Sequence, residues 1–179
     1  MKPWKTISSE ALLDDQWMRL RADVCEVPDG PRLSPYYVIE ERDWVHVLAL
    51  THDQQIILVR QYRYAVATFC TELPGGVIDD GETPLVAAKR ELLEETGHTA
   101  SDWQPVGTYF ANPARQTNRV HIYLARELSL PGEQSLDSSE QIAVSSVTVD
   151  EAIALIAKGE FSQGMHIGSL FMCLRAAGL

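Results

Sequence analysis

From Trp17 to Val27 (WMRLRADVCEV) apolar and polar residues alternate, the period of a strand with one buried face. Pro28-Asp-Gly-Pro31 breaks that run with a turn, and Tyr36-Tyr-Val-Ile-Glu40 resumes it, so a hairpin is predicted within an N-terminal stretch of two or three strands. Two short apolar runs follow, Val45–Leu50 and Ile56–Tyr62, around the turn Thr51-His-Asp-Gln54. Phe69–Leu73 leads into a glycine-rich stretch, Gly75, Gly76 and Gly81, read as a tight loop with its backbone open to a ligand. The period then changes. Leu85, Ala88 and Leu92 recur at helical spacing, Thr83 suits the N-cap, Pro84 the first helical position and Gly97 the left-handed C-terminal position. A helix over Pro84–Thr96 is predicted.

Further along, Trp103–Phe110 and Val120–Ala125 read as strands flanking the polar loop 111–119. A second polar loop covers 129–141. Ile142–Val149 reads as a strand, with a helix from Val149 to about Lys158 that takes Asp150 as N-cap and ends at Gly159. A last amphipathic helix is predicted over Gly164–Ala176. With no internal repeat or low-complexity tract, the pattern describes an α/β domain over 43–179, preceded by a β extension over 1–42.

Composition narrows the function. A length of 179 residues suits one well-buried core. A formal net charge of −10 argues against a nucleic-acid or anionic-membrane surface, since phosphate backbones are met by clustered Lys and Arg. It leaves small phosphorylated substrates open, because metal ions can carry the positive charge. Cys25, Cys70 and Cys173 are scattered without ligand spacing and read as reduced, buried thiols. No apolar run approaches the ~20 residues of a membrane span. The segment MKPWKTISSE lacks a signal peptide's apolar core, so a cytoplasmic location is expected.

The charges on the predicted 84–96 helix are unusual. Glu91, Glu94 and Glu95 share one face at i, i+3 and i+4, where like charges repel by roughly 0.2–0.5 kcal/mol per pair. They also crowd the helix C-terminus, which the macrodipole makes unfavourable for anions. Arg90 can relieve Glu94 but cannot neutralise all three. Two readings stand: a solvated acidic face, or oxygen ligands for a hard divalent cation such as Mg²⁺ or Mn²⁺.

The spacing carries more than the charges. Gly76, five residues, Glu82, seven residues, then Arg90-Glu91-Leu92-Leu93-Glu94-Glu95-Thr96-Gly97 resembles the box of the Nudix hydrolases. One position departs: His98 stands where the box ends in an aliphatic residue, a packing position. Beyond the box, Val59-Arg-Gln-Tyr-Arg63, Glu72-Leu-Pro-Gly-Gly76, Asp79–Pro84 and Pro113, fifteen residues past His98, resemble the ADP-ribose pyrophosphatase branch. The similarity covers nearly the whole chain. It implies a Nudix α/β/α sandwich with a mixed sheet, and metal-dependent hydrolysis of a nucleoside diphosphate linked to a sugar, ADP-ribose or a relative, giving a nucleoside monophosphate and a sugar phosphate.

By the same resemblance, Glu91 and Glu95 ligate Mg²⁺ or Mn²⁺, Glu94 is a shared or second-site ligand, and the Gly75 carbonyl completes the shell. Glu82 and Arg90 orient those ligands. The general base comes from the acidic loop Glu133–Glu140; Glu140 matches best and Asp137 is the substitute. Arg63 resembles a diphosphate contact. Trp17 and Tyr36 fall where related dimers supply aromatics to sandwich the base, so a homodimer is implied. The branch often places glycine and an acid after its proline loop. Here Pro113-Ala-Arg115-Gln-Thr-Asn-Arg119 holds two arginines instead, which either meet phosphate oxygens or are solvated. His46, His52, His121 and His166 show no ligand spacing and read as structural. Two other readings remain: a Nudix enzyme for NADH, a dinucleoside polyphosphate or capped RNA, and an inert nucleotide-sensing module. Loss of a box carboxylate would support the inert module, and Glu82, Glu91, Glu94 and Glu95 are all present.

Overall fold

Residues alternate across strand β4 (Trp44–Leu50), and both of its faces are buried. Val45, Val47 and Ala49 pack into one apolar cluster with Ala87, Ala88 and Leu92 of helix α1 (Pro84–Thr96). Leu48 and Leu50 pack into another with Ala152 of α2 (Val149–Ala157) and Leu170, Cys173 and Leu174 of α3 (Gly164–Ala177). Strand β5 (Ile56–Arg63) divides in the same way, Ile57 toward α1 and Ile56 and Leu58 toward α2 and α3. A sheet buried on both faces between helices is an α/β/α sandwich. The computed structural model describes residues 1–138 and 140–179.

That sheet is mixed, in the order β10 (Ala143–Val147), β5, β4, β9 (Arg119–Leu128), β8 (Ala100–Phe110). Strands β4 and β9 run parallel, while β5 is antiparallel to β4 and to β10. Pairing between β4 and β5 is confined to Ala49↔Ile57 and Leu50↔Ile56. Beyond it the two strands part, and one segment fills the wedge. Strand β6 (Thr68–Glu72) lies on β5, and β7 (Gly75–Val77) lies on β4. Between them, the Pro74 carbonyl accepts from Val47 N–H at 2.8 Å. Gly75–Val77 is thus a strand rather than the open loop that its glycines suggest. A Cβ at Gly75 would stand 2.1 Å from the Val45 carbonyl oxygen, so only glycine lets the backbones approach this closely.

Helix α1 has the predicted ends: Thr83 Oγ1 accepts from Val86 N–H, and Gly97, at φ +72°, returns its N–H to Leu93. At α2 the cap differs from expectation. Thr148 rather than Asp150 takes the N-cap, because Glu151 at the third helical position reaches back to close a capping box.

Met1–Asp43 and Phe110–Arg119 form a separate unit. Its sheet is an antiparallel meander of β1 (Lys5–Asp14), β2 (Arg19–Glu26) and β3 (Arg32–Glu40). Every residue of β1 is exposed. Trp17 was expected in a strand, but it precedes β2, where the Asp15 carboxylate accepts from the Trp17 and Met18 N–H groups and turns the chain. Loop 110–119 is tied to β3: Ile39 N–H donates to Arg115 and Thr117 N–H donates to Ile39. No helix among the described residues is long and apolar enough to cross a membrane.

Candidate active site

Helix α1 buries Ala87, Ala88 and Leu92, and its periodicity turns Glu91 and Glu95 together toward β7. Glu95 is 3% exposed, and its Oε2 accepts from Gly75 N–H at 2.8 Å. Glu91 lies so near Gly76 that an added Cβ there would stand 2.4 Å from Glu91 Oε1. The two glycines therefore let the strand come down onto the carboxylates.

Arg90 gathers the other acids. Its Nε and Nη2 grip Glu82 at 2.9 Å each, its Nη1 donates to Glu91 at 2.8 Å and Glu94 at 3.2 Å, and its Nη2 also reaches the Val77 carbonyl. The Arg90 hydrogen bonds lower the Glu82 pKa to about 2. Arg90 itself is raised, chiefly by Glu82.

One guanidinium does not balance this face. Burial pushes the Glu95 carboxyl up to about 8 against the Gly75 hydrogen bond, and the charges of Glu91 and Glu140 add to the rise. Burial also raises Glu91, with Arg90 opposing and Glu94 and Glu140 adding. These are carboxylates in want of positive charge. As they stand, no three acidic, histidine or cysteine side chains among the described residues converge closely enough to hold an ion. The donor set nevertheless fits a hard divalent cation: oxygen donors only, from buried Glu95 to partly exposed Glu94, with more negative charge than Arg90 offsets.

Residues 132–135 lie along the C-terminal end of α1. Gln134 donates to the Glu95 carbonyl at 2.5 Å, Ser135 N–H to the Glu94 carbonyl at 3.0 Å and Gly132 N–H to Gly97 at 2.8 Å. Asp137 and Glu140 turn on each other: Asp137 N–H donates to the Glu140 carboxylate and Glu140 N–H to the Asp137 carbonyl. Of the two, Glu140 is the one whose charge is felt at Glu91 and Glu95.

Arg63, at the end of β5, pairs with Glu72 of β6 through Nε–Oε1 at 3.1 Å and Nη2–Oε2 at 2.5 Å. Burial works against the Arg63 charge, but the Glu72 hydrogen bond and charge, and then the charge of Glu95, raise its pKa. So Arg63 stands within electrostatic reach of the α1 carboxylates. Its side chain is 43% exposed and that of Glu72 is 1% exposed, an anchored cation with an open edge. Sequence reasoning missed Glu72. Its signal is a lone acid at the end of a strand, three residues before the first glycine.

The remaining candidates belong to the first unit. Tyr36 donates its hydroxyl to the Ala114 carbonyl at 2.7 Å, next to the exposed Arg115, and Trp4 packs edge-on against the Tyr36 ring at 6.1 Å. Trp17 is 85% exposed. His98, at the departing box position, is 8% exposed and packs with its Nδ1 2.9 Å from the Ser129 carbonyl.

Residues 41–165 match the family profile of the NUDIX domain, and residues 4–39 match that of the nucleoside diphosphate sugar hydrolase N-terminal domain. An ADP-ribose pyrophosphatase of Bacillus subtilis is 34% identical over 87% of this chain and 84% of its own length. An ADP-ribose pyrophosphatase of Mycobacterium tuberculosis is 31% identical over 93% and 81%. A methanol dehydrogenase activator of Bacillus methanolicus is 31% identical over 85% and 82%. In fold, the chain is similar to a crystal structure of an ADP compounds hydrolase, with TM-score 0.85 over 99% of this chain and 97% of that one, at 21% identity.

Proposed function

The chain belongs to the NUDIX family, and on that premise we propose that it hydrolyses the pyrophosphate bond of a nucleoside diphosphate joined to a sugar, with ADP-ribose as the leading substrate. The products are a nucleoside monophosphate and a sugar phosphate. Glu91 and Glu95, on one face of α1 against Gly75 and Gly76, with Glu95 buried and Glu91 half-buried, are the observation that carries this reading.

Family members use divalent metal ions, and Mg²⁺ is the ion we assign here, with Mn²⁺ as the substitute. Glu91, Glu95, Glu94 and the Gly75 carbonyl would hold it. When bound, such an ion screens the diphosphate oxygens and lowers the pKa of an attacking water. Arg90 and Glu82 keep the carboxylates oriented, the role that outer partners play at metal sites. Glu140 takes the proton from water as its oxygen bonds to phosphorus and the bridging P–O bond breaks; Asp137 is the alternate base. Arg63 presents its open edge to the diphosphate. Across the proposed homodimer, Trp17 and Tyr36 stack on the base held by the partner subunit, and Arg115 meets a phosphate oxygen.

We assign the first unit, the extension over 1–42 with loop 110–119, to base binding and to a homodimer. The exposed β1, with Ile7, Leu12 and Leu13 uncovered, supports that assignment. Three free, buried cysteines suit a reducing cytoplasm.

A substrate panel with Mg²⁺ and products identified by mass spectrometry tests the reading. AMP plus ribose 5-phosphate from ADP-ribose is expected. Cleavage of NADH, dinucleoside polyphosphates or capped RNA, with no nucleoside diphosphate sugar turned over, overturns it.

A further inference from the structure

Behind the Glu72–Gly75 segment lies a buried polar chain that the hydrolysis does not use. The His46 and His166 rings stack with centroids 3.7 Å apart and planes 19° apart, and they are 3% and 4% exposed. Hydrogen-bond directions fix both tautomers. Tyr109 donates its only hydroxyl hydrogen to the Met165 carbonyl at 2.5 Å, so it accepts from Ser169 Oγ at 2.9 Å. Ser169 in turn accepts from His46 Nδ1–H at 2.9 Å. His166 Nδ1 accepts from Leu73 N–H at 3.2 Å, which leaves the hydrogen on Nε2, facing Glu72 Oε2 at 4.0 Å. Burial keeps both rings neutral: His46 is lowered to about 3 and His166 well below its ordinary value.

His166 and Ser169 share one face of α3, one turn apart. A helix that only covered the sheet would present apolar side chains there, since polar groups cost free energy to bury unless each finds a partner. Here each partner lies on the strand system that carries the site. His166 holds Leu73, Glu72 precedes Leu73 and grips Arg63, and Gly75 follows two residues later and donates to Glu95.

We infer that His166 is a positioning residue: from α3 it fixes the Leu73 backbone, so that Glu72 holds Arg63 in the orientation that meets the substrate diphosphate. His46, clamped by Ser169, is the flat surface against which the His166 ring is set. The inference rests on the assignment of Arg63 to the diphosphate.

Two isosteres separate positioning from mere packing. Asparagine puts an acceptor where Nδ1 stands, and glutamine puts one where Nε2 stands. His166→Gln is expected to raise KM for ADP-ribose about tenfold with kcat within about threefold, because Arg63 binds ground and transition states alike. His166→Asn should restore KM to within about threefold of the wild type. Arg63→Ala should raise KM as well, and His166→Gln added to it should have no further effect, since both act through one contact. If His166→Gln does not fold, Ser169→Ala enters the same cycle through the His46 side.

Equal KM values for the Gln and Asn variants, or additive effects in the Arg63→Ala background, overturn the inference and leave the Arg63 assignment standing. An unchanged KM in Arg63→Ala overturns both.

Discussion

The two faces of β4 meet helices with opposite polar chemistry. On the α1 side, Glu95 is buried and Glu91 half-buried beside Gly75 and Gly76, and burial and neighbouring carboxylates raise their proton affinities. On the α3 side, His46, His166 and Ser169 are as deeply buried as Glu95, with Tyr109 partly buried beside them, yet each has a partner and the rings stay neutral. The first arrangement forgoes stability. An acidic cluster near a helix C-terminus is disfavoured by mutual repulsion and by the macrodipole. The second is satisfied in itself. On the proposed function, the difference separates a surface kept ready for a ligand from a frame that holds it.

The largest effect should come from the α1 face. Glu91→Gln and Glu95→Gln are each expected to lower kcat for ADP-ribose about 10³-fold, some 4 kcal/mol of transition-state stabilisation. Circular dichroism should show an unchanged fold. Near-normal turnover at saturating Mg²⁺ would remove both residues from the site. Glu140→Gln should cost about 10²-fold in kcat and leave KM nearly intact, since a base acts on the proton in flight. If Asp137→Asn shows that pattern instead, the base is Asp137.

The α3 face should answer to acid rather than to metal. Both histidines have folded pKa values below 6.5, so the stability they contribute is fully present above pH 6.5 and is lost as pH falls. The charge of Arg63 strengthens the shift at both rings, His46 adds to it at His166, and Glu72 lies near enough to His166 to oppose it. His46 should remove about 2 kcal/mol of unfolding free energy between pH 7 and pH 5, His166 adds to the loss, and the Glu95 carboxyl, kept protonated by burial in the folded state, opposes it. Urea unfolding at the two pH values checks this: going from pH 7 to pH 5, His46→Asn should lose about 2 kcal/mol less than the wild type, a difference in which the Glu95 contribution cancels. An equal loss in the variant would assign the acid sensitivity elsewhere.

The same comparison marks what the sequence discloses. Helix α1 was legible end to end, because Thr83, Pro84 and Gly97 are local signals and the carboxylate spacing is a property of the helix itself. The α3 face was not. His46 in an apolar strand and His166 in an apolar helix look like isolated structural residues, because their partners are remote: 123 residues separate His46 from Ser169, and 93 separate Leu73 from His166. Glu72 was quoted as part of a motif, but its burial under Arg63 follows from β4 and β5 parting, which no local pattern encodes. Thr148 was missed for a smaller reason: the Thr-x-x-Glu box was there to read, and Asp150 was the more familiar cap.

The central claim is that the α1 carboxylates are left short of positive charge for a divalent cation. Melting temperatures of wild type and Glu95→Gln, each with and without Mg²⁺ and without substrate, test it most directly. Without metal and above pH 8, where Glu95 carries its charge, the variant should melt slightly higher, because a repelling charge is gone while Gly75 N–H keeps an acceptor. With Mg²⁺, the wild type should rise by linkage and the variant should not. A variant that melts lower without metal, or that gains as much from Mg²⁺ as the wild type, would contradict the claim.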